Sequence, residues 1–193
     1  MVALVRRRHR TLGARSRLLV EWIDEHEWTR GAELGVFRGD NLLHMLRSCP
    51  PLEMVGVDVW EPLDSRPICP GGRSYGEWPL AQFHHTLCRT VVADGLGNRA
   101  RLMRMPTTDA AAWFPNGHFD FVFIDADHTA EGFTGDLFAW APKVKADGWL
   151  IGHDYNRRNF PGVVRVVDTV LPSRTIHEDH VWACPKAESV FGL

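Results

Sequence analysis

Gly31-Ala-Glu-Leu-Gly-Val-Phe-Arg-Gly-Asp-Asn-Leu-Leu-His-Met-Leu46 decides the fold. Its first six residues, to Val36, read as a short buried strand running into a glycine turn, and Asn41 to Leu46 continue as a helix. Pro50 and Pro51 end anything helical. Met54-Val-Gly-Val-Asp58 is then a second apolar strand that finishes on an acid. Strand, glycine turn, helix, strand and acid in that order mark a parallel sheet that binds a nucleotide-like ligand. Lacking a Cβ, Gly35 and Gly39 let the backbone turn sharply and approach a ligand, while helix N–H groups point at its carboxylate. Asn41, in the first helical turn, adds a side-chain donor. Asp58 follows the turn by about two dozen residues, where an acid can accept both hydroxyls of a ribose.

Outward from this unit the rhythm continues. Leu18 to Trp28 has helical spacing, with Leu18, Leu19, Trp22 and Ile23 on one face. Residues 61–79 are too rich in Pro and Gly for a regular element and read as a lid or substrate loop, with Tyr75 and Trp78 either facing a substrate or anchoring the loop. A helix is expected over Leu80 to Val92, a strand over Ala100 to Met105, and a helix over Thr107 to Phe114 with a threonine or aspartate cap. Phe119-Asp-Phe-Val-Phe-Ile-Asp125 is a continuous apolar run ending on a carboxylate. Thr129 to Lys143 reads as a helix, Gly148 to Asp154 as a fifth strand and Val163 to Leu171 as a further helix. Arg174 to His177 and Val181 to Cys184 can pair as a closing hairpin. The pattern predicts one α/β domain over residues 1–193, a Rossmann-like three-layer sandwich whose sheet of about seven strands is mostly parallel with an antiparallel closing hairpin.

Composition narrows the function. The 193 residues are 45% hydrophobic and 24% charged, as in an ordinary soluble domain, and the formal net charge of -2 gives no global reason to expect nucleic acid or an anionic membrane. No apolar run approaches the roughly 18 residues of a membrane helix. Residues 1–17 form a basic extension in which Arg6 to Arg10 follow the apolar Met1 to Val5, the reverse of a signal peptide. Those arginines could meet RNA or an acidic partner, or form a solvated face. Cys49, Cys69, Cys88 and Cys184 have no zinc-ligand spacing and read as reduced thiols of a cytoplasmic protein. His84 and His85 read as a surface pair. A small-molecule acceptor is expected rather than a membrane or nucleic acid, and homo-oligomer formation stays open.

Acids at strand ends carry the chemistry. Glu33, Asp58, Asp125 and Asp154 all fall at the carboxyl edge of the expected sheet, where ligands of open α/β sheets bind. Neighbouring parallel strands lie about 4.8 Å apart, so Asp125 and Asp154 can share one hard cation. His128 and His153 with one aspartate also spell the ligand set of a non-haem iron site, which leaves the glycine turn without a role.

Ala32-Glu-Leu-Gly-Val-Phe-Arg-Gly39 resembles motif I of class I S-adenosylmethionine-dependent methyltransferases and lacks the Gly-x-Gly-x-x-Gly of a NAD site. Phe119-Asp-Phe-Val-Phe-Ile-Asp-Ala-Asp-His128 and Gly148-Trp-Leu-Ile-Gly-His-Asp-Tyr155 are similar to the metal-dependent O-methyltransferases, the catechol and caffeoyl-CoA enzymes and the sugar enzymes of macrolide and aminocoumarin biosynthesis. The resemblance implies S-adenosylmethionine on Glu33, Gly35, Gly39 and Asn41, with its ribose on Asp58 and its adenine near Trp60, Thr107, Thr108 and Asp109. It implies a divalent cation such as Mg²⁺ on Asp125 and Asp154, with His153 as a substitute third ligand. Asp125 would border the donor as well and take part in catalysis. The catechol-type enzymes carry asparagine where this chain has Tyr155 and a catalytic lysine where it has His128, so His128 is expected as the general base. The implied reaction is methyl transfer to a hydroxyl of a sugar, phenol or similar metabolite.

Overall fold

The structure, a computed structural model, describes residues 13–62 and 75–192. Helix α1 (Ala14–Glu25) leads into strand β1 (Arg30–Leu34), α2 (Asp40–Ser48) and β2 (Glu53–Asp58). After a single turn at Tyr75–Glu77 come α3 (Leu80–Ala93), β3 (Ala100–Arg104) and the short α4 (Thr107–Ala110). Then follow β4 (Phe119–Ile124), α5 (Ala130–Trp140), β5 (Val144–Gly152), α6 (Pro161–Val170), β6 (Thr175–Ile176) and β7 (Trp182–Pro185). They build the expected mixed sheet, in the order β3-β2-β1-β4-β5-β7-β6. Strands β1 to β5 pair parallel, and β7 runs antiparallel to both β5 and β6.

Strand order reverses between β1 and β4, which opens a crevice beyond their carboxyl ends. Both faces of the sheet are covered, so β4 is buried at every position and reads as an unbroken apolar run rather than an alternating one. Phe121 and Phe123 pack with Leu19, Ile23, Leu42, Met45 and Leu87 on one side. Val122 and Ile124 pack with Phe133, Leu137, Trp140, Val163 and Val167 on the other. This alternation is the strand's two-residue period holding inside an all-apolar sequence.

Several element bounds differ from expectation for local reasons. Helix α1 starts at Ala14, four residues early, so Arg15 and Arg17 belong to its first turn rather than to a free extension. Expected residues 107–114 form only one α-turn, followed by a 3₁₀ turn at Ala111–Trp113, and Pro106 stands at the cap with no side-chain cap bond. Thr129 is the true side-chain cap of α5, accepting from Gly132 N at 3.0 Å. The arginine cluster at 6–10, Cys69 and residues 63–74 of the expected lid lie outside the described residues. Trp78 anchors its end of that loop, with its ring 5.4 Å from Phe37. Of the expected surface pair, His85 is exposed and His84 is half-buried with its ring 4.5 Å from Trp60. Cys49, Cys88 and Cys184 are free thiols. Among the described residues no helix is long and apolar enough to cross a membrane.

Candidate active site

At the end of β1 the chain leaves the sheet through Gly35, whose φ is +83°. A Cβ there would lie 2.2 Å from the Asp125 carbonyl oxygen, so Gly35 lets β1 and β4 close together at the crevice. Gly39, at φ +80°, has its Cβ space filled by Leu87 of α3. The glycines therefore make the turn and seat it against its neighbours. Gly35→Ala should collide with the β4 backbone and also force a side chain into a left-handed conformation. A loss of at least about 3 kcal/mol in folding stability is expected, read as a shifted urea midpoint.

Three non-glycine residues with positive φ line the same edge: Phe37 (+53°), Trp60 (+46°) and Asp154 (+61°). Such conformations cost of order 1–3 kcal/mol each and collect where function requires them. Asp58 holds two of them, accepting from Phe37 N at 2.8 Å and Trp60 N at 2.7 Å. Trp60 was expected beside an adenine. Instead its side chain is fully buried and its indole N–H donates to the Phe37 carbonyl at 2.8 Å, so it braces the turn from behind. An indole with that much apolar area is more stable in the core than at an open crevice.

Glu33 is 2% exposed, with one carboxyl oxygen accepting from Asn41 Nδ2 at 3.1 Å. Its other oxygen, Oε2, and the Asn41 Oδ1 are buried without a hydrogen-bond partner. Burial, opposed by Asn41 and Arg15, pushes the Glu33 carboxyl up to about 8. Thr107 packs under the crevice by donating to Asp136 and accepting from the Trp140 indole at 2.8 Å, while Thr108 and Asp109 are exposed. Asp136 is buried, and loss of solvent raises its carboxyl to about 6.

The second half of the site forms between β4 and β5. Asp125, His128 and Asp154 each present a donor atom within 4.8 Å of the others. His128 Nε2 lies 2.5 Å from Asp154 Oδ2 and 3.5 Å from Asp125 Oδ1, yet in hydrogen-bond geometry to neither. His153 Nδ1 lies 3.0 Å from Asp154 and 3.6 Å from Asp125, and its Nε2 is buried without a hydrogen-bond partner. The two histidines differ in their distance from the aspartate pair. His128, expected as the base, lies with Asp125 and Asp154 in the group that could hold a metal ion, and His153, expected as a ligand, is not part of that group. Strict strand alternation would have separated His153 from Asp154, but β5 ends at Gly152 and the left-handed Asp154 turns both inward.

The closing hairpin sets this geometry. A Cβ on Gly152 would lie 2.3 Å from the Trp182 ring, whose indole N–H donates to the His153 carbonyl at 3.2 Å. Tyr155 turns away and donates to Asp168 on α6 at 2.6 Å, so it does not stand in for the asparagine ligand. Burial alone would lower both imidazoles. The adjoining Asp125 and Asp154 carboxylates outweigh it and lift His128 to about 10 and His153 to about 9. Burial would raise Asp125, but His128, His153 and Arg15 hold it well below the usual carboxylate range.

Arg15 is the residue that sequence reading missed. From the first turn of α1 its guanidinium reaches Asp125 Oδ2 at 2.6 Å, 110 positions along the chain. Its backbone N–H leans on Asp179 at 3.4 Å, in the tip of the closing hairpin. Nothing local in an arginine-rich amino end signals such a contact.

The fold is shared with solved methyltransferases. A Podospora anserina methyltransferase bound to S-adenosylhomocysteine superposes with a TM-score of 0.61 at 15% identity, covering 88% of this chain and 76% of its own. An O-methyltransferase from Bacillus cereus in complex with S-adenosylhomocysteine gives 0.59 at 13% identity, covering 93% and 84%. The O-methyltransferase TomG from Streptomyces achromogenes, of tomaymycin synthesis and in complex with S-adenosylmethionine, gives 0.58 at 16%, covering 90% and 81%. At these identities the likeness is one of fold. No curated protein matches in sequence. A family model described as a methyltransferase domain matches residues 32–155, which span the glycine turn and every strand-end acid. The chain therefore belongs to the methyltransferase-domain family.

Proposed function

We propose that this enzyme transfers a methyl group from S-adenosylmethionine to a hydroxyl of a small molecule, assisted by a divalent cation. The observation that carries the reading is a juxtaposition. The unpartnered Glu33 and Asn41 oxygens and the Asp125, His128, Asp154 group border one crevice, joined through Asp125 beside Gly35. Solved structures of the same fold with the donor or its product bound support the donor.

The buried orphan atoms fit both groups. Glu33 Oε2 and Asn41 Oδ1 accept hydrogen bonds and suit the donor's ammonium, and Asp58 suits its ribose. Thr107, Thr108 and Asp109 border the adenine position. Asp125, His128 and Asp154 offer two carboxylates and one imidazole nitrogen at mutual distances suited to a cation. Such a cation, when bound, supplies Lewis acidity toward a hydroxyl oxygen and lowers its pKa.

The rest of the reaction belongs to the chain. The acceptor oxygen forms a bond to the methyl carbon as the carbon–sulfur bond breaks, and that electron pair stays on sulfur. With the Asp125 and Asp154 charges that hold His153 protonated offset by a bound cation, its imidazole would be neutral and would take the acceptor's proton. Its Nδ1 faces Asp154 and Asp125, which fixes the tautomer and leaves Nε2 as the proton acceptor. Fixing donor and acceptor in line is the main catalytic effect. His153→Asn should lower kcat by about 10²–10³ with donor affinity kept, and full activity in that variant would remove His153 from the mechanism.

A cation-free methyltransferase is the second reading, favoured by one observation. Arg15, His128 and His153 already surround the two aspartates with positive charge. Calorimetry with S-adenosylhomocysteine, with and without a divalent cation, paired with turnover in excess EDTA, separates the two. Binding of the product with activity lost in EDTA is expected. Full activity in EDTA selects the cation-free route, and failure to bind S-adenosylhomocysteine overturns both.

A further inference from the structure

We infer that the cation site selects a first-row transition ion that accepts nitrogen, of the Mn²⁺, Co²⁺ or Zn²⁺ kind, over Mg²⁺. The inference rests on the proposed cation-assisted reading and concerns its ligand set. Mg²⁺ demands near-octahedral oxygen ligation and gives up water reluctantly, whereas imidazole suits the borderline transition ions.

Three features of this chain remove oxygen donors and supply a nitrogen. Tyr155, the position after the β5 acid, is committed to Asp168 at 2.6 Å. Arg15 occupies Asp125 Oδ2 at 2.6 Å, which leaves that carboxylate one oxygen, Oδ1, on the cluster side. The third donor within reach is therefore His128 Nε2, buried and outside hydrogen-bond geometry with either acid. The ring that carries it is held rather than loose. Its centroid lies 4.6 Å from that of Phe160, and the backbone that follows is pinned where Asp127 accepts from Thr129 N at 2.7 Å. A fixed imidazole beside one available oxygen from Asp125 and the Asp154 carboxylate is a mixed nitrogen–oxygen site.

The test uses the full chain stripped with a chelator. Calorimetric titration with Mn²⁺, Co²⁺, Zn²⁺ and Mg²⁺ separately should show the transition ions binding at least about 100-fold more tightly than Mg²⁺. With Mn²⁺ bound, pulsed EPR should show coupling to one imidazole ¹⁴N, and His128→Asp should abolish that coupling and narrow the gap to Mg²⁺. Circular dichroism checks that the variant folds, and the ¹⁴N signal of the unaltered protein stands without it. Mg²⁺ binding as tightly as Mn²⁺, or Mn²⁺ binding without ¹⁴N coupling, overturns the selectivity while the cation-assisted reading survives. If none of the four ions binds, the inference and the cation in the proposed function fall together, leaving the cation-free route.

Discussion

Asp154→Asn should lower methyl transfer by about 10³-fold while S-adenosylhomocysteine affinity stays within about threefold, since Lewis-acid stabilisation contributes several kcal/mol and each 1.4 kcal/mol is tenfold in rate. Asparagine is the informative replacement because it keeps the volume and is one of the few residues that tolerates the φ of +61° found there. The exchange removes only the charge. Asp154 faces both His128 and His153, so its loss disturbs the proposed cation site and the proposed base together. The proposed donor cradle at Glu33, Asn41 and Asp58 belongs to β1, α2 and β2, whereas Asp154 follows β5, hence the spared affinity. Side-by-side assays of turnover and product binding check the split. Retention of more than a tenth of the activity would show that the Asp154 charge is not needed for the reaction.

The second large effect concerns Glu33. Its carboxyl titrates near 8 in the folded protein against 4.5 for an unburied glutamate. The folded state holds that proton more tightly, so folding takes up a proton between these values, and the sign follows from linkage. Stability falls as pH rises from about 4.5 to about 8 and is flat beyond, for this group. At about 1.4 kcal/mol per pH unit the upper limit is on the order of 5 kcal/mol. Glu33→Gln should remove that slope, so urea midpoints at pH 5 and pH 8.5 should differ less in the variant than in the unaltered protein. The imidazoles of His128 and His153 add their own loss of stability as pH rises from about 6.5 to about 9 or 10, which the difference between the two proteins cancels. An ammonium arriving at Glu33 Oε2 would favour the ionised carboxyl, so donor binding at pH 7 should release a proton. Calorimetry in buffers of different ionisation enthalpy reads that proton, and Glu33→Gln should abolish its release and weaken the donor by about tenfold to hundredfold. An unchanged slope and unchanged proton release in the variant would remove Glu33 from the donor site.

The glycine turn at the proposed donor half of the site was legible because it is local. Glu33 to Asn41 is one strand–turn–helix connection, and the requirement for φ above zero at Gly35 and Gly39 is written in the residue type. The ends of β4 and β5 were legible for the same reason, an apolar run stopping at an acid. Trp60 shows where such reading stops. A tryptophan beside a ligand acid looks like a platform for a base, and only its neighbours reveal that it is walled in by the Phe37 carbonyl and His84.

The sequence by itself determined the sheet, its switch point and the acids gathered at its carboxyl edge, because hydrophobic period and glycine placement act within a few residues. Tertiary structure alone decided the division of labour there. Arg15 meets Asp125 because α1 packs across the sheet and the closing hairpin supports its start. His128 rather than His153 groups with both aspartates, with the Trp182 ring in the space over Gly152 and Asp154 in a left-handed turn. These are contacts between residues tens of positions apart, set by packing, and no local pattern encodes them.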